Sequence, residues 1–236
     1  MIGGGLGSQG RWNQYMSLNT SNTAIDQPTA VWMDDFAGVG VNTFNWATNH
    51  TGGTAVINPS ASGFGQLKLN TGAVINQIAS LWWSTFLSFT LGSTKKAEFE
   101  SGVTISSQSQ VTYRVGTYKD ANDYFYVEFD PTVRGNNNWW ICRNKTGAGE
   151  TAYDTGSDAT VGTWHFFKFV NTSSGVVDVY YKSGFYTNPL TAYTLILSAA
   201  TNVPTTTQVP YLYVKTLDVN SKSLYVDFVK LSQLRS

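Results

Sequence analysis

Aromatic and β-branched residues recur along the chain in short runs, and turn-forming residues separate the runs. From residue 164 to residue 181, two such runs flank a small polar turn, which predicts a β-hairpin. In residues 124–130, Phe125, Val127 and Phe129 alternate with tyrosine and acidic residues, the pattern of a strand with one buried face. Runs of this kind, with turn signals roughly every eight to twelve residues, predict an antiparallel sandwich or barrel.

The strand pattern extends from residue 31 to residue 234 and requires no helix of ordinary length. Residues 72–91 also have some helical spacing, but a glycine at each end and the β-forming residues 85–90 favour strands there. The predicted strands are residues 31–36, 54–58, 66–70, 73–79, 84–91, 96–105, 110–118, 124–130, 139–144, 163–171, 176–182, 191–198, 209–217 and 223–234.

The chain of 236 residues divides into a terminal arm and one domain. Residues 31–236 are expected to form a single all-β, antiparallel sandwich. Residues 1–30 are rich in glycine near the terminus and have neither a strand nor a helix period, so we expect an extended arm that another chain holds. The candidate anchors on this arm are Trp12, Tyr15, Met16 and Leu18.

Charged side chains are sparse and balanced, which narrows the range of expected partners. Only 13% of the residues are charged, with 15 basic and 15 acidic side chains. Nucleic acid is therefore not an expected partner, because phosphate binding needs a basic surface. The sequence contains neither an apolar run of membrane-spanning length nor a secretory signal in residues 1–10, so we expect no membrane association and assembly in a cytoplasm.

The acidic side chains form no recognisable catalytic motif. Glycoside hydrolysis needs two carboxylates aimed at one bond, and jelly-roll glucanases carry their acids on one strand as Glu-x-Asp-x-x-Glu. Here the same-face pairs are Glu98 with Glu100 and Glu128 with Asp130, and neither has a third acid. Both pairs are expected to lie on outward polar faces of strands.

The sequence also contains no clear motif for metal ligation or for nucleophilic catalysis. Two acidic clusters fit either structural hydrogen bonds or calcium: Asp34 with Asp35, and Asp120 with Asn122 and Asp123. The remaining candidates, none in the sequence context of a catalytic triad, are His50, His165 and the single cysteine, Cys142. We therefore predict a protein that is not an enzyme and has no metal or cofactor.

Two tryptophan pairs are the candidates for ligand binding: Trp82 and Trp83, and Trp139 and Trp140. In a strand, alternation sends one ring of each pair to the core and the other outward. An outward ring can stack against a sugar, and asparagines 136–138 beside Trp139 offer hydrogen bonds. The alternative is that a loop or a neighbouring subunit covers the ring.

The order of several motifs resembles a known family. Residues 31–46, VWMDDFAGVGVNTFNW, and residues 223–231, SLYVDFVKL, resemble the first and last strands of concanavalin A-like lectin and glucanase jelly rolls. Between them, residues 113–116, 123–130 and 175–180 occur in the order found in bacteriophage virion proteins that carry this fold. The resemblance implies a concanavalin A-like jelly roll, and the missing glucanase acids argue against hydrolysis.

The resemblance also implies a role and partners. It suggests a non-enzymatic virion protein, assembled in the host cytoplasm and displayed on the virion surface as a capsid decoration, cement or head-fibre protein. The expected partners are other virion proteins, contacted through the arm, and further copies of the same chain. The alternative is a lectin-like, receptor-binding module of a tail fibre or tail tip that binds a cell-surface glycan.

Overall fold

The computed structural model describes residues 29–36, 41, 46–59, 65–83, 89–93, 96–146, 148–184 and 192–234. The four candidate anchors of the arm, Trp12, Tyr15, Met16 and Leu18, lie outside these residues. Within the described part, no helix is long and apolar enough to cross a membrane.

The described residues form fifteen strands and one short helix. In chain order they are β1 (Thr29–Asp34), β2 (Trp46–Thr51), β3 (Thr54–Pro59), β4 (Gly65–Asn70), β5 (Ile78–Trp83), β6 (Ala97–Ile105), β7 (Val111–Asp120), β8 (Asp123–Phe129), α1 (Pro131–Arg134), β9 (Asn138–Asn144), β10 (Thr151–Asp158), β11 (Trp164–Ser173), β12 (Val176–Gly184), β13 (Thr194–Ala199), β14 (Val209–Thr216) and β15 (Ser223–Leu234).

These strands build two antiparallel sheets. The eight-stranded sheet has the order β13-β12-β11-β6-β15-β4-β3, and β1 pairs with the second half of β15. The seven-stranded sheet has the order β10-β9-β8-β7-β14-β5-β2. The prediction of an all-β antiparallel sandwich is confirmed.

Aromatic rings from both sheets fill the space between them. Phe125 of β8 lies 5.0 Å, centroid to centroid, from Phe169 of β11, with the ring edge directed at the ring face. Trp139 of β9 contacts Phe167 of β11 in the same way at 5.2 Å. All four rings are fully buried, and each removes roughly 150–250 Å² from water. A large aromatic core therefore stabilises a chain that has no disulfide.

A second aromatic group surrounds Asp34. Trp32, Trp46 and Trp83 pack together, with ring centroids 4.1–5.7 Å apart. Asp34 accepts hydrogen bonds from Trp46 Nε1 at 2.8 Å and from the backbone N–H of Phe36 at 2.9 Å. Burial raises the pKa of this carboxyl group. The structural interpretation of Asp34 is therefore confirmed.

The predicted strand at residues 73–79 is wrong over residues 73–77. Asn76 has a left-handed backbone with φ of 66°, and the Gln77 side chain accepts a hydrogen bond from the N–H of Val74 at 3.2 Å. These features form a turn, and β5 begins only at Ile78. Val74 and Ile75 are 60% and 54% exposed, so their apolar side chains do not mark a buried strand.

Two strands that the pattern did not predict, β2 and β10, form the two edges of the seven-stranded sheet. Their sequences, WATNHT and TAYDTGSD, are mostly polar, and most of their side chains are at least partly exposed. An edge strand pairs on one side only and covers less of the core, so it does not need an alternating apolar pattern. Most of the predicted strand 84–91 lies outside the described residues; Phe89 forms an isolated bridge with Gln208.

Candidate functional site

The outward side of the seven-stranded sheet carries a cluster of polar and aromatic side chains. In β8, Phe125, Val127 and Phe129 point into the core, as the sequence predicts. Tyr124 and Tyr126 point to the opposite side and pack in a separate cluster. We call this outward surface the aromatic face; it is formed by Trp82, Arg114, Tyr118, Tyr124, Tyr126, Glu128, Trp140, Cys142, Tyr211 and Tyr213.

The strand register arranges these side chains in rows that run across the sheet. One row, from β5 to β9, contains Trp82, Tyr211, Gly116, Tyr126 and Cys142. The next row, from β5 to β10, contains Ser80, Tyr213, Arg114, Glu128, Trp140 and Asp154. Neighbouring strands lie about 4.8 Å apart, so adjacent members of a row are in direct contact range.

Several tyrosine rings of the aromatic face stack on one another. Tyr118 and Tyr211 are stacked with a centroid distance of 4.7 Å, and Tyr211 and Tyr213 with 5.8 Å. Tyr118, Tyr211 and Tyr213 are all partly exposed, as is Trp82 beside Tyr211. The three tyrosines stack in a row, and Trp82 lies opposite Tyr211 in the strand register. We call these four partly exposed side chains the platform.

Glu128 is the buried acid beside this platform, on β8. Its side chain is only 3% exposed, and its Oε2 accepts from Arg114 Nε at 2.8 Å. Its Oε1 accepts from Arg134 Nε at 3.0 Å and from Arg134 Nη2 at 2.7 Å. The Cys142 thiol lies beside the same acid, with Sγ 3.8 Å from Oε1, and burial raises the pKa of this thiol. Both oxygens of Glu128 are therefore held by cationic donors.

Arg134 extends this ion-pair group to the loop before β10. Its Nη2 also donates to Glu150 Oε1 at 2.7 Å, and Tyr124 O–H donates to Glu150 Oε2 at 2.6 Å. Although burial acts in the opposite direction, the bonds from Tyr124 and Arg134 lower the pKa of Glu150. The guanidinium carbon of Arg134 lies 5.4 Å from the Trp140 ring centroid. Arg134 thus covers Glu128 and one side of Trp140.

The other acids near the aromatic face are also engaged. Asp154 accepts from the side-chain amides of Asn136 at 2.7 Å and Asn138 at 2.9 Å. Asp130 accepts from Thr112 Oγ1 at 2.6 Å and caps α1 through the N–H of Val133 at 3.0 Å. These contacts fix the loops at the edge of the sheet.

The structure divides the four predicted glycan-stacking residues into two groups. Trp83 and Trp139 are 6% and 0% exposed and lie in the core, which removes them from the ligand-binding candidates. Trp82 and Trp140 lie on the aromatic face and are partly exposed. Trp140 Nε1 donates to Asn136 Oδ1 at 3.0 Å, so this ring is already held by its own neighbours. Of the four, Trp82 is the most suitable for contact with a ligand.

The acidic pairs predicted from sequence have different environments. Glu98 and Glu100 lie on the outward side of the eight-stranded sheet and pair with Lys168 at 3.0 Å and with Lys230 at 3.6 Å, as expected of a polar strand face. Glu128 also faces outward, as predicted, but its side chain is only 3% exposed because Arg134 covers it.

Two further candidates, Asp120 and His165, have structural partners. Asp120 closes the β7–β8 turn by accepting from the N–H of Asn122 at 2.8 Å. His165 is 1% exposed, donates from Nε2 to the carbonyl oxygen of Thr160 at 3.2 Å and accepts from Tyr181 O–H at Nδ1. Burial lowers the pKa of His165 to about 4. Within the described residues, no group of three or more His, Cys, Asp or Glu side chains is placed to hold a metal ion.

The sequence interpretation missed two tyrosines of the platform, Tyr211 and Tyr213. Tyr211 and Tyr213 alternate with the core residues Leu212 and Val214 in β14, so their outward direction was readable from the pattern. Their contact with Arg114 was not readable, because β14 and β7 are about 100 residues apart in the chain and pair only in the folded sheet.

Comparisons with solved structures identify the architecture. A protein described among the endo-acting O-glycanases of the human gut microbiota that initiate mucin breakdown has a TM-score of 0.59 at 11% identity, covering 86% of this chain and 99% of that one. A glycosyl hydrolase family protein from Mycobacterium fortuitum has a TM-score of 0.55 at 11% identity, covering 85% of this chain and 98% of that one. Peanut lectin, in a structure with a nine-residue peptide, has a TM-score of 0.54 at 8% identity, covering 87% and 97%.

The fold is that of the concanavalin A-like jelly rolls. No protein-family model matches the chain, and no curated protein matches it in sequence. At these identities the likeness establishes the jelly roll and not an activity, since the solved relatives include both lectins and glycosyl hydrolase family proteins. The predicted jelly-roll fold is confirmed, whereas the phage origin stays a prediction.

Proposed function

We propose that this jelly roll is a non-enzymatic carbohydrate-binding module and that its ligand lies on the aromatic face. The observation that carries the proposal is the platform of Trp82, Tyr211, Tyr213 and Tyr118, whose partly exposed rings adjoin one another on three neighbouring strands. Sugar rings present C–H groups that pack on aromatic faces, and binding sites combine such apolar surfaces with a few fixed polar groups. Arg114 is the fixed polar group at this position.

The size of the platform sets the length of the ligand. Three neighbouring strands, from Trp82 on β5 to Arg114 on β7, span about 10 Å. This distance accommodates two sugar rings side by side, so we expect an oligosaccharide that crosses the strands.

The engaged carboxylates support a binding role without hydrolysis. A glycosidase needs one carboxyl group that gives up a proton and a second that attacks or activates water. Glu128 is held by two arginines, and Glu150 by Arg134 and Tyr124. Asp130 and Asp154 are held by hydrogen-bond donors in the same way. Carboxylates fixed in this manner are suited to positioning arginines rather than to transferring protons.

Replacement of one platform ring tests the binding role. Tyr211→Ala removes the central ring and should weaken binding to a captured oligosaccharide roughly tenfold, because one aromatic contact contributes about 1.4 kcal/mol at the upper end of its range. Tyr225→Ala is the matched control, since Tyr225 is a partly exposed strand tyrosine on the outward side of the other sheet. A glycan array followed by titration calorimetry measures the effect. Equal affinities for the two variants, or silence of the wild-type protein on the array, would reject the proposal.

We further propose that the module is displayed on a bacteriophage virion, as a capsid decoration, cement or head-fibre protein or as a receptor-binding part of a tail. The order of the sequence motifs favours this setting. The fold is compatible with it, because β1, which follows the arm, belongs to the eight-stranded sheet, whereas the aromatic face belongs to the other sheet. An arm that attaches to virion proteins or to further copies of this chain would then leave the aromatic face free.

Mass spectrometry of density-purified particles tests the setting. Recovery in proportion to the major shell protein supports decoration or cement, and a few copies per particle support a tail or fibre position. Deletion of residues 1–27 should abolish incorporation while the sandwich still folds. Absence of the chain from purified particles would reject the virion role and leave the carbohydrate-binding proposal intact.

A further inference from the structure

Arg114 differs from Arg134, which covers the aromatic face from α1, in how much of its guanidinium is hydrogen-bonded. Its Nε donates to Glu128, while no other hydrogen bond joins the guanidinium to the described residues. Arg134, in contrast, uses Nε and Nη2 for contacts with Glu128, Cys142 and Glu150. The Arg114 side chain is 31% exposed and that of Arg134 only 14%. Arg114 therefore has two terminal nitrogens, Nη1 and Nη2, available for a ligand.

The neighbours of Arg114 hold its guanidinium in a fixed orientation. Its central carbon lies 5.1 Å from the Tyr126 ring centroid and 5.3 Å from the Tyr213 centroid. Together with the bond from Nε to Glu128, the two rings restrict rotation of the side chain. Little conformational freedom is then lost when a ligand binds, which favours affinity at this position.

The position of Arg114 couples it to the sugar platform. Arg114 lies directly opposite Tyr213 in the β7–β14 pair, and Tyr211 is the next outward residue along β14. A sugar ring stacked on either tyrosine therefore has its ring substituents within reach of Nη1 and Nη2. A pair of parallel N–H donors matches a carboxylate better than it matches a single hydroxyl group.

The charged groups around Arg114 are balanced overall, with a cationic end at Arg114 itself. Glu128 divides its two oxygens between Arg114 and Arg134, and Glu150 bonds to Arg134 and not to Arg114. These four charges sum to zero, and the positive end of the group lies at Arg114, which has no direct bond to Glu150. Lys215, the next outward residue after Tyr213 on β14, adds a further cation about 7 Å along the strand. Asp130 adds a negative charge near Tyr213 and accepts hydrogen bonds from Thr112 and from the start of α1.

We propose that the aromatic face recognises acidic sugars and that Arg114 binds their carboxylate in a bidentate manner while the sugar ring stacks on Tyr211 or Tyr213. This inference rests on the proposed carbohydrate-binding function and adds the ligand class. Uronic acids and sialic acids share the required chemistry, a carboxylate attached to a pyranose ring.

Carboxyl methylation of the ligand tests the inference on the unmodified protein. The probe is an array of uronate, sialylated, sulfated and neutral oligosaccharides, in which each carboxylated glycan is printed beside its methyl ester. Methyl esterification should weaken binding about tenfold or more, because it removes the charge from the hydrogen-bond acceptor. Comparison of binding to the sialylated and to the uronate glycans on the array distinguishes the two sources of the carboxylate.

The possible outcomes distinguish carboxylate recognition by Arg114 from carbohydrate binding in general. Equal binding to acid and ester, or binding to neutral or sulfated glycans alone, would overturn the role of Arg114 in carboxylate recognition and keep the carbohydrate-binding role. Failure to bind any glycan would overturn both.

Substitution of Arg114 provides a second measurement. Arg114→Lys keeps the charge but loses the paired donors, so it should weaken binding to the acid while affinity for the ester changes less than threefold. Lys68→Gln is the matched control, because Lys68 also lies over a tyrosine ring, that of Tyr225, on the other sheet. Thermal unfolding checks that the Lys variant is folded. A folded Arg114→Lys variant with wild-type preference for the acid would contradict the inference.

Discussion

The two outward surfaces of the sandwich pair glutamate with cations in different ways. On the eight-stranded sheet, Glu98 and Glu100 pair with Lys168 and Lys230, and all four side chains are 17–35% exposed; we call this group the charged face. On the aromatic face, Glu128 is 3% exposed and bonds to two arginines. Strand alternation places all of these acids outward, so it does not explain the difference in burial.

The difference arises from what covers each sheet. The aromatic face receives Arg134 from α1 and Glu150 from the loop before β10, and these side chains lie over Glu128 and Tyr124. The acids of the charged face contact side chains of neighbouring strands and of Tyr193. An exposed ion pair exchanges readily with water, whereas a covered one fixes the geometry of the groups around it. Short loops, rather than the strand pattern, therefore determine on which outward face the charged side chains become buried and fixed.

Removal of Glu128 should have the largest effect on stability. Glu128→Ala leaves Arg114 and Arg134 without their shared carboxylate, and loss of one partner from a buried ion pair lowers the free energy of unfolding by about 3 kcal/mol. Urea denaturation measures this change. Glu128→Gln keeps the shape and serves as the comparison for lost charge alone. A loss for Glu128→Ala below about 1 kcal/mol would show that the two faces do not differ energetically.

Acid should destabilise the sandwich through His165, a core-facing residue of the eight-stranded sheet. Burial lowers the pKa of His165 from 6.5 to about 4, so the unfolded chain binds a proton that the folded chain does not bind between these pH values. The free energy of unfolding should therefore fall as the pH falls from 6.5 to 4, by up to about 3 kcal/mol from this group. Below pH 4 this contribution no longer changes.

Substitution isolates the histidine from the carboxyl groups that titrate in the same range. His165→Gln should remove this part of the pH dependence, measured as the difference between variant and wild-type urea denaturation across pH 4–7. His50→Gln is the comparison. Burial also lowers the pKa of His50, but His50 is less buried, so its substitution should change the pH dependence less than His165→Gln does. Parallel curves for His165→Gln and wild type would exclude His165 as the origin.

Two outward glycines should respond unequally to the same change. A Cβ at Gly116 on the aromatic face would lie 2.4 Å from the carbonyl oxygen of Phe125 and 2.5 Å from Tyr126 Cα, which are backbone atoms that cannot move aside locally. A Cβ at Gly102 would meet side-chain ring atoms of Phe166 at 2.7 Å. Gly116→Ala should therefore cost about 2 kcal/mol and more than Gly102→Ala, as thermal and urea unfolding can measure. A larger loss of stability for Gly102→Ala would indicate that the backbone of the β7–β8 pair adjusts more easily than the Phe166 ring.

The smallest effect is expected on the charged face. Glu98→Ala should change the free energy of unfolding by less than about 1 kcal/mol, because Glu98 and Lys168 are partly exposed and water replaces their interaction. High salt should reduce even this difference, whereas the loss for Glu128→Ala should remain. A loss for Glu98→Ala equal to that for Glu128→Ala would remove the distinction between the faces.

The sequence predicted the elements whose residues alternate strongly. Phe125, Val127 and Phe129 in β8 identified both a strand and its buried side. The same rule failed at Val74 and Ile75, because a turn exposes these apolar residues. It also missed β2 and β10, whose edge positions place less demand on hydrophobic pattern.

The site was less predictable than the strands because it depends on contacts between distant segments. The directions of Trp82, Tyr211 and Arg114 follow from alternation within single strands, but their contact requires β14 to lie between β5 and β7. The covering of Glu128 requires Arg134, which comes from a one-turn helix that no periodic pattern marks. Alternation within a strand determines which side of the sheet a residue faces. The order of the strands determines which residues of other strands are its neighbours.

The pairing of β1 with β15 determines how the sandwich responds to mechanical force. Thr29 lies opposite Leu234, and Asp34 lies opposite Val229, so residues 29 and 234 are at the same end of one antiparallel pair. Tension applied between these two residues pulls the strands apart one residue pair at a time instead of sliding them past each other along their length. A copy held at residue 29 and pulled at residue 234 would therefore open by unzipping from this corner, at low force, while a load applied through the aromatic face would be shared by several strand pairs at once.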